Sequence, residues 1–249
     1  MKLIINADDF GLSETCTRAI FDAFNKGLIT DTTMVANGGA FDLALNVSQN
    51  SDIKNNIGVH FNLTEGVPLT ENIKKCSSFV MNGRFHGKVN RTKPLSRYEK
   101  KAVYEELTAQ IEKIENSGIR ITHADSHHHI HTDIFIAPIV VKICKEHGIN
   151  KIRLHRNIGS ISIVKRIVKK IYNRYLKFKG FRTTDYFGSL EDIKDNLPSD
   201  MLEIMVHPDY NAEGILIDRI DLENGYPVGE KLNENAKKIS QNHFSYNEM

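Results

Sequence analysis

The alternation of short apolar or β-branched runs with longer stretches of helical period limits most what this chain can become. Residues 2–6 read as a buried strand; Ser13 then opens an amphipathic stretch carrying Cys16, Ala19, Ile20, Ala23 and Phe24, and Gly27 stops it. Strand-like runs at 32–36 and 57–61 flank a short helix at 41–47. Ser96-x-x-Glu99 has the form of a capping box ahead of Val103, Leu107, Ile111 and Ile114, and Gly118 ends that helix. A strand at 119–124, a helix at 135–147 closed by Gly148, and strands at 151–154, 184–187 and 203–206 complete the series. Roughly six or seven βα units in succession predict an α/β fold on a parallel sheet, open or closed, with a (β/α) barrel as the preferred form.

Two stretches leave this pattern. Residues 66–94, rich in Asn, Gly, Lys and Ser, read as a long βα loop or lid, and 211–249, rich in Asn, Asp and Glu, as a divergent C-terminal region, all within a single domain spanning 1–249. A 40% hydrophobic content over 249 residues is enough for a sizeable core. The 26% of charged residues and the lack of any apolar run near ~18 residues argue against a membrane span. The first residues carry no apolar leader pattern, which makes the cytoplasm the expected location. Cys16, Cys76 and Cys144 are too widely spaced for a disulfide framework or a CxxC zinc site and read as packing residues.

A net charge of +2 conceals one asymmetry: residues 151–182 hold many Lys and Arg and no Asp or Glu. Ile161, Val164, Val168, Ile171, Tyr172 and Tyr175 recur there at helical spacing among Lys165, Arg166, Lys169, Lys170 and Arg174. The simplest reading is an amphipathic helix with a solvated basic face. Contact with a nucleic acid or a membrane surface is the alternative, and no nucleic-acid motif accompanies it. The expected partners are therefore neither nucleic acid nor membrane.

The reactive residues gather where strands end, as functional groups do in parallel α/β sheets. Asp8 and Asp9 follow the first strand, His60 ends the third, Asp125 and His127 follow 119–124, Arg153 lies in a later strand and His207 follows the last. Asp and His are ligands that a borderline divalent cation takes when it must also hold water, so the two clusters together suggest a hydrolytic metal site. Each member has a plainer reading. Asp8-Asp9 could cap the next helix, although Ser13 can do so; His60 could be a satisfied core histidine; His207-Pro208 could be turn chemistry. The tract His127, His128, His129 and His131 could be a loose surface chelator.

Four segments together resemble the YdjC-like carbohydrate deacetylases, and among them the chitooligosaccharide (diacetylchitobiose) deacetylases. They are Asn6-Ala7-Asp8-Asp9-Phe10-Gly11-Leu12, Gly58-Val59-His60-Phe61-Asn62-Leu63-Thr64, Thr122-His123-Ala124-Asp125-Ser126-His127-His128-His129-Ile130-His131 and Met205-Val206-His207-Pro208. They fall in family order over roughly residues 1–210. The resemblance implies a distorted (β/α) barrel of the polysaccharide-deacetylase type and one divalent cation held by Asp9, His60 and His127. It also implies Asp8 as catalytic base, His207 as general acid, Arg153 orienting the base, and a homodimer. Mg2+ is the cation recorded for the family, whereas two imidazoles and a carboxylate suit Zn2+, Co2+, Ni2+ or Mn2+ better on chemical grounds. The implied activity is removal of N-acetyl groups from acetamido sugars, as in chitin degradation. Alternatives are another acetylated glycan or glycolipid as substrate, or a non-catalytic sugar-binding protein that kept the barrel. If the sugar carries a 6-phosphate, Arg153, His155, Arg156 or Lys165 are the cations expected to meet it. The chain departs from the family pattern at 132–137, which precede Pro138, and at 220–225.

Overall fold

The computed structural model describes residues 2–159, 162–192, 200–221, 230 and 242–249. Ile161, residues 222–225 and the side chains of Val164 and Lys165 lie outside the described residues. The elements run β1 (Lys2–Phe10), α1 (Glu14–Asn25), β2 (Asp31–Met34), α2 (Phe41–Gln49), β3 (Ile57–Phe61), α3 (Glu71–Lys74), β4 (Val80–Met81), β5 (Arg84–Phe85) and α4 (Arg97–Asn116). They continue with β6 (Ala124–Ser126), α5 (Ala137–Glu146), α6 (Ile163–Phe178), β7 (Tyr186–Ser189), β8 (Met201–Val206), β9 (Pro208–Tyr210), β10 (Leu216–Asp218) and β11 (Asn242–His243).

The main sheet is parallel, in the order β6-β3-β2-β1-β8-β7, with β11 paired to the start of β1. It curls. Between its two edges runs the segment 150–157, bonded to β6 through Ala124 N to Lys151 O (3.0 Å) and Arg153 N to Ala124 O (3.0 Å), and to β7 through Asn157 N to Phe187 O (3.1 Å). The predicted strand at 151–154 is thus reduced to isolated bridges, and the predicted strand at 119–124 forms instead at 124–126. That shift moves Asp125 and Ser126 from the loop into the strand itself.

Period-two alternation divides the strands cleanly. Leu3, Ile5 and Ala7 of β1, Ile57, Val59 and Phe61 of β3, and Leu202, Ile204 and Val206 of β8 join one apolar core with the buried faces of α1, α4 and α5. The alternate positions are mostly polar or small, Asn6 and Asp8, Gly58 and His60, and Glu203, while Met205 packs with Leu154 and Phe187 in a small apolar cluster. Ile4 packs with Tyr246 and Met249 in a separate cluster. The inside of the curl is therefore filled largely by hydrogen-bonding groups, which is tolerated only when each finds a partner. Gly58 is needed there: a Cβ would come within 2.7 Å of the His123 carbonyl and ring.

The helices begin where their caps stand. Ser13 accepts from Cys16 N at the head of α1, and Ser96 with Glu99 forms the complete capping box of α4. Helix α4 buries Val103, Leu107, Ile111 and Ile114, each contributing about 1.5–3 kcal/mol. Its buried polar residues do positional work. Gln110 bonds both the N–H (2.9 Å) and the carbonyl (2.7 Å) of Asn62, and Glu106 accepts from the backbone N–H groups of Leu69 (3.0 Å) and Thr70 (2.8 Å). The stretch 66–94 is consequently anchored, and it carries α3 and the β4–β5 hairpin rather than a plain loop. Part of the 211–249 region is also regular, since β10 pairs antiparallel with β9.

Candidate functional site

The first strand presents two consecutive carboxylates to one cleft, which an ordinary strand cannot do. Asp9 has φ 74, in the left-handed region, and the β1–β2 register shifts between Ala7 and Phe10. This bulge turns the backbone so that Asp8 continues the inward row of Ile4 and Asn6 while Asp9 also faces the cleft instead of the helices. Both are buried.

Asp8 belongs to a closed ionic network. Arg153 approaches it end-on, Nη1 to Oδ2 and Nη2 to Oδ1 both at 2.7 Å, and also reaches Asp125 Oδ2 through Nη1 (2.6 Å) and Glu203 Oε1 through Nε (2.6 Å). Asn6 Nδ2 donates to Asp8 Oδ1 (2.9 Å), His123 bonds Asn6 Oδ1 (3.1 Å) while stacked on Tyr246, and the Tyr246 hydroxyl donates to Glu203 Oε2 (2.5 Å). Burial alone would raise the Asp8 carboxyl, but the charge and hydrogen bonds of Arg153 overcome it and hold Asp8 well below the usual carboxylate range. Burial, with Arg153 nearby, keeps His123 neutral.

Asp9 belongs to an open cluster. Its Oδ1 lies 3.2 Å from His60 Nε2 and 2.7 Å from His127 Nδ1, and its Oδ2 accepts from Arg219 Nη2 at 2.6 Å. One potential ligand atom from each of Asp9, His60 and His127 lies within 4.8 Å of the others. His60 Nδ1 faces Asp125 Oδ1 (2.6 Å), with Thr33 Oγ1 bridging to the same ring and carboxylate, so Nδ1 carries a proton and Nε2 is aimed at the cluster. Burial disfavours charge on His60, yet Asp125 above all, with Asp9 and Asp8, lifts its pKa to about 10. A second proton on Nε2 thus fills the gap to Asp9, the place a cation would take, and cation binding would release it. The donor set, one carboxylate and two imidazoles backed by a further carboxylate, fits a divalent metal.

The remaining sequence candidates are also located. His207 follows β8 in phase with Glu203 and Met205; its Nε2 is 3.9 Å from Asp8 Oδ2 and its Nδ1 4.0 Å from Asp218 Oδ1. A cavity of about 240 Å³ is lined by Asp8, Asp9, His60, His127, His207 and Arg219, among others. Of the four clustered histidines, only His127 reaches Asp9. His128 and His129 adopt φ 51 and φ 54 in the turn after β6, and His131 is buried behind it against Ser126 Oγ (2.5 Å). Among the cations suggested for a sugar phosphate, Arg153 is buried and fully engaged, His155 is held neutral, and Arg156 pairs with Asp192.

The sequence places Asp125 among the reactive strand-end residues without a specific role, and singles out none of Glu65, Glu203, Tyr246 or Arg219. Asp125 was detectable, because a residue two before His127 in a strand shares the inward row. Glu65, whose Oε2 is 3.2 Å from His127 Nε2, follows His60 by a turn that Asn62 ties with bonds from Thr64 N (2.9 Å) and Glu65 N (3.0 Å). Arg219 arrives from the β9–β10 hairpin, in a region whose composition announces no structure.

The chain matches the family described as YdjC-like protein over residues 2–238. It is 35% identical over 214 residues to carbohydrate deacetylase 1 of Listeria innocua, covering 86% of this chain and 83% of that one. It is 33% identical over 242 residues to the carbohydrate deacetylase of Vibrio parahaemolyticus, covering 93% and 86%. A solved structure of a proposed cellobiose-phosphate cleavage protein from Enterococcus faecalis superposes with a TM-score of 0.70 at 25% identity, covering 98% of this chain and 97% of that one.

Proposed function

This chain belongs to the YdjC-like family, and from that premise we propose that it is a metal-dependent carbohydrate deacetylase removing N-acetyl groups from acetamido sugars and releasing acetate. The observation that carries the reading is one small cleft lined both by Asp9, His60 and His127, whose ligand atoms converge, and by an ionised Asp8 and His207. A non-catalytic sugar binder has no use for a carboxylate held ionised beside a cation site. The polysaccharide-deacetylase type of barrel, the homodimer and chitooligosaccharides as substrate, with or without a 6-phosphate, complete the proposal on the strength of the family resemblance.

An acetamide is a weak electrophile with a poor leaving group, so hydrolysis needs an activated water, a polarised carbonyl and a proton for the departing amine. A divalent cation held by Asp9, His60 and His127 would supply Lewis acidity toward the acetyl oxygen and a more acidic water. Asp8 removes the proton from the attacking water. Arg153 fixes both of its oxygens, which keeps it charged and stops it rotating into the cation's shell. His207 delivers a proton to the amine nitrogen as the C–N bond breaks, with Asp218 positioned against its far nitrogen. Asp125 holds His60 in the tautomer that leaves Nε2 available.

The test is acetate release from N-acetylated chitooligosaccharides and their 6-phosphates, with metal-free protein titrated by Mg2+, Mn2+, Co2+, Ni2+ and Zn2+. Release that depends on added cation is the expected result. No release from any of these sugars by protein with one cation bound per chain would overturn the reading.

A further inference from the structure

Helix α6 breaks the rule the other long helices keep. Where α1 and α4 bury their apolar stripes, α6 leaves Ile167, Val168, Ile171 and Phe178 57%, 60%, 63% and 85% exposed. These residues lie on one arc of the helix. The opposite flank holds it to the body: Leu176 is fully buried, Asn173 exchanges hydrogen bonds with the His155 backbone (2.8 and 3.1 Å), and the Tyr172 hydroxyl donates to His131 O (2.8 Å). The sequence predicts an amphipathic helix with its apolar residues packed and a solvated basic face; here the packed flank is narrow and most of the apolar arc faces outward.

Two neighbouring features extend that arc. A cavity of about 470 Å³ between α6 and the start of α5 is lined by Ile134, Pro138, Val168, Ile171 and Tyr175, with Ile134 72% exposed. Along the next arc, Lys170, Arg174 and Lys177 line a groove of about 460 Å³ whose carboxylate, Asp185, sits 3.7 Å from Lys177. No acidic residue occurs anywhere from 151 to 182.

We propose that α6 is an interfacial helix that docks this protein on an anionic phospholipid surface. Its apolar arc would lie at the acyl boundary and its Lys and Arg arc among headgroup phosphates. A helix with one apolar and one strongly cationic face lying flat at the headgroup level is the geometry such surfaces select. A second copy fits less well, because a two-fold contact would bring the cation-rich arcs of both copies together, and Asp185, the carboxylate lining that groove, already pairs with Lys177. A nucleic-acid backbone satisfies the cations but leaves four apolar side chains in water. The bond from Tyr172 to the His131 carbonyl ties the middle of this helix to the histidine tract. The inference does not depend on the deacetylase reading.

The full chain should co-sediment with vesicles of equal parts phosphatidylcholine and phosphatidylglycerol, not with phosphatidylcholine alone, and binding should weaken as salt rises. The pair Lys170→Gln/Arg174→Gln should lower vesicle affinity roughly 30-fold, and Ile171→Ser/Phe178→Ser at least roughly 10-fold. Thermal midpoints should stay unchanged, because all four side chains are exposed, and this separates lost docking from lost folding. Absence of binding to the mixed vesicles at low salt overturns the proposal. So does binding that Ile171→Ser/Phe178→Ser leaves intact, which would mark a purely electrostatic polyanion contact. A wild-type dimer that this same pair converts to monomer in sedimentation velocity would make the face a contact between copies and overturn it as well.

Discussion

Asp8 and Asp9 are consecutive residues, yet they belong to regions built on opposite plans. Around Asp8 every oxygen has a partner inside the protein: Arg153 joins Asp8, Asp125 and Glu203, and Tyr246 closes the far side. Around Asp9 the groups converge without completing one another, since two imidazoles and Arg219 all face one carboxylate and the cavity. The first region is a floor whose cost of burial is met internally. The second is left to be completed by a ligand. The contrast teaches that a single bulge in β1 can set a carboxylate held charged by the protein's own groups beside one left for a ligand to complete, one residue apart.

The largest effect should come from breaking the floor. Arg153→Met would leave three carboxylates buried without their cation, and removing one partner of a buried ionic network costs about 3–5 kcal/mol. Urea unfolding should show a correspondingly lower midpoint, and a variant as stable as wild type would mean that the floor is not held by charge. Next comes the division of labour. Asp8→Asn should keep metal and lose roughly 10²–10⁴-fold in acetate release, whereas Asp9→Asn should lose the metal. Elemental analysis alongside turnover reads both, and the reverse pattern would exchange the two assignments.

The sequence shows the floor and the rim unequally. Strand positions and caps were legible where local chemistry decides them: Ile57–Phe61 forms β3 where expected, and Ser13 and Ser96 cap their helices. Asp8, Asp9, His60, His127, Arg153 and His207 were legible as strand-end residues, and the structure brings all six together. Two things were not. The bulge at Asp9 depends on pairing with β2, a tertiary fact that no spacing within the first strand records. Glu203 looked like an ordinary charged residue at a strand start because its partners, Arg153 and Tyr246, lie 50 and 43 positions away. The exposed arc of α6 was hidden for the same reason: periodicity reports that an apolar stripe exists, not whether anything in the chain covers it.

A smaller effect sharpens the boundary between the two regions. Asp125 touches both, bonding Arg153 in the floor and His60 in the rim. Asp125→Asn keeps the shape and an acceptor but removes the charge that fixes His60. Loss of such a supporting carboxylate typically lowers metal affinity 10- to 100-fold. Competition with a chelating dye should show that shift, and an unchanged affinity would assign Asp125 to the floor alone.

The smallest effect tests whether burial, rather than contact, makes a supporting group matter. Glu65 stands to His127 as Asp125 stands to His60: its Oε2 lies 3.2 Å from the ring nitrogen that faces away from Asp9. Its side chain, however, is 56% exposed, whereas that of Asp125 is fully buried. Water can replace Glu65 at His127 but has no access to the His60–Asp125 bond. An exposed pair of this kind is worth only about 0.2–1 kcal/mol. Glu65→Gln should therefore shift metal affinity by no more than about fivefold in the same dye competition. A loss equal to that of Asp125→Asn would show that the rim is as tightly integrated as the floor, and the contrast between the two carboxylates of β1 would reduce to which one the cation touches.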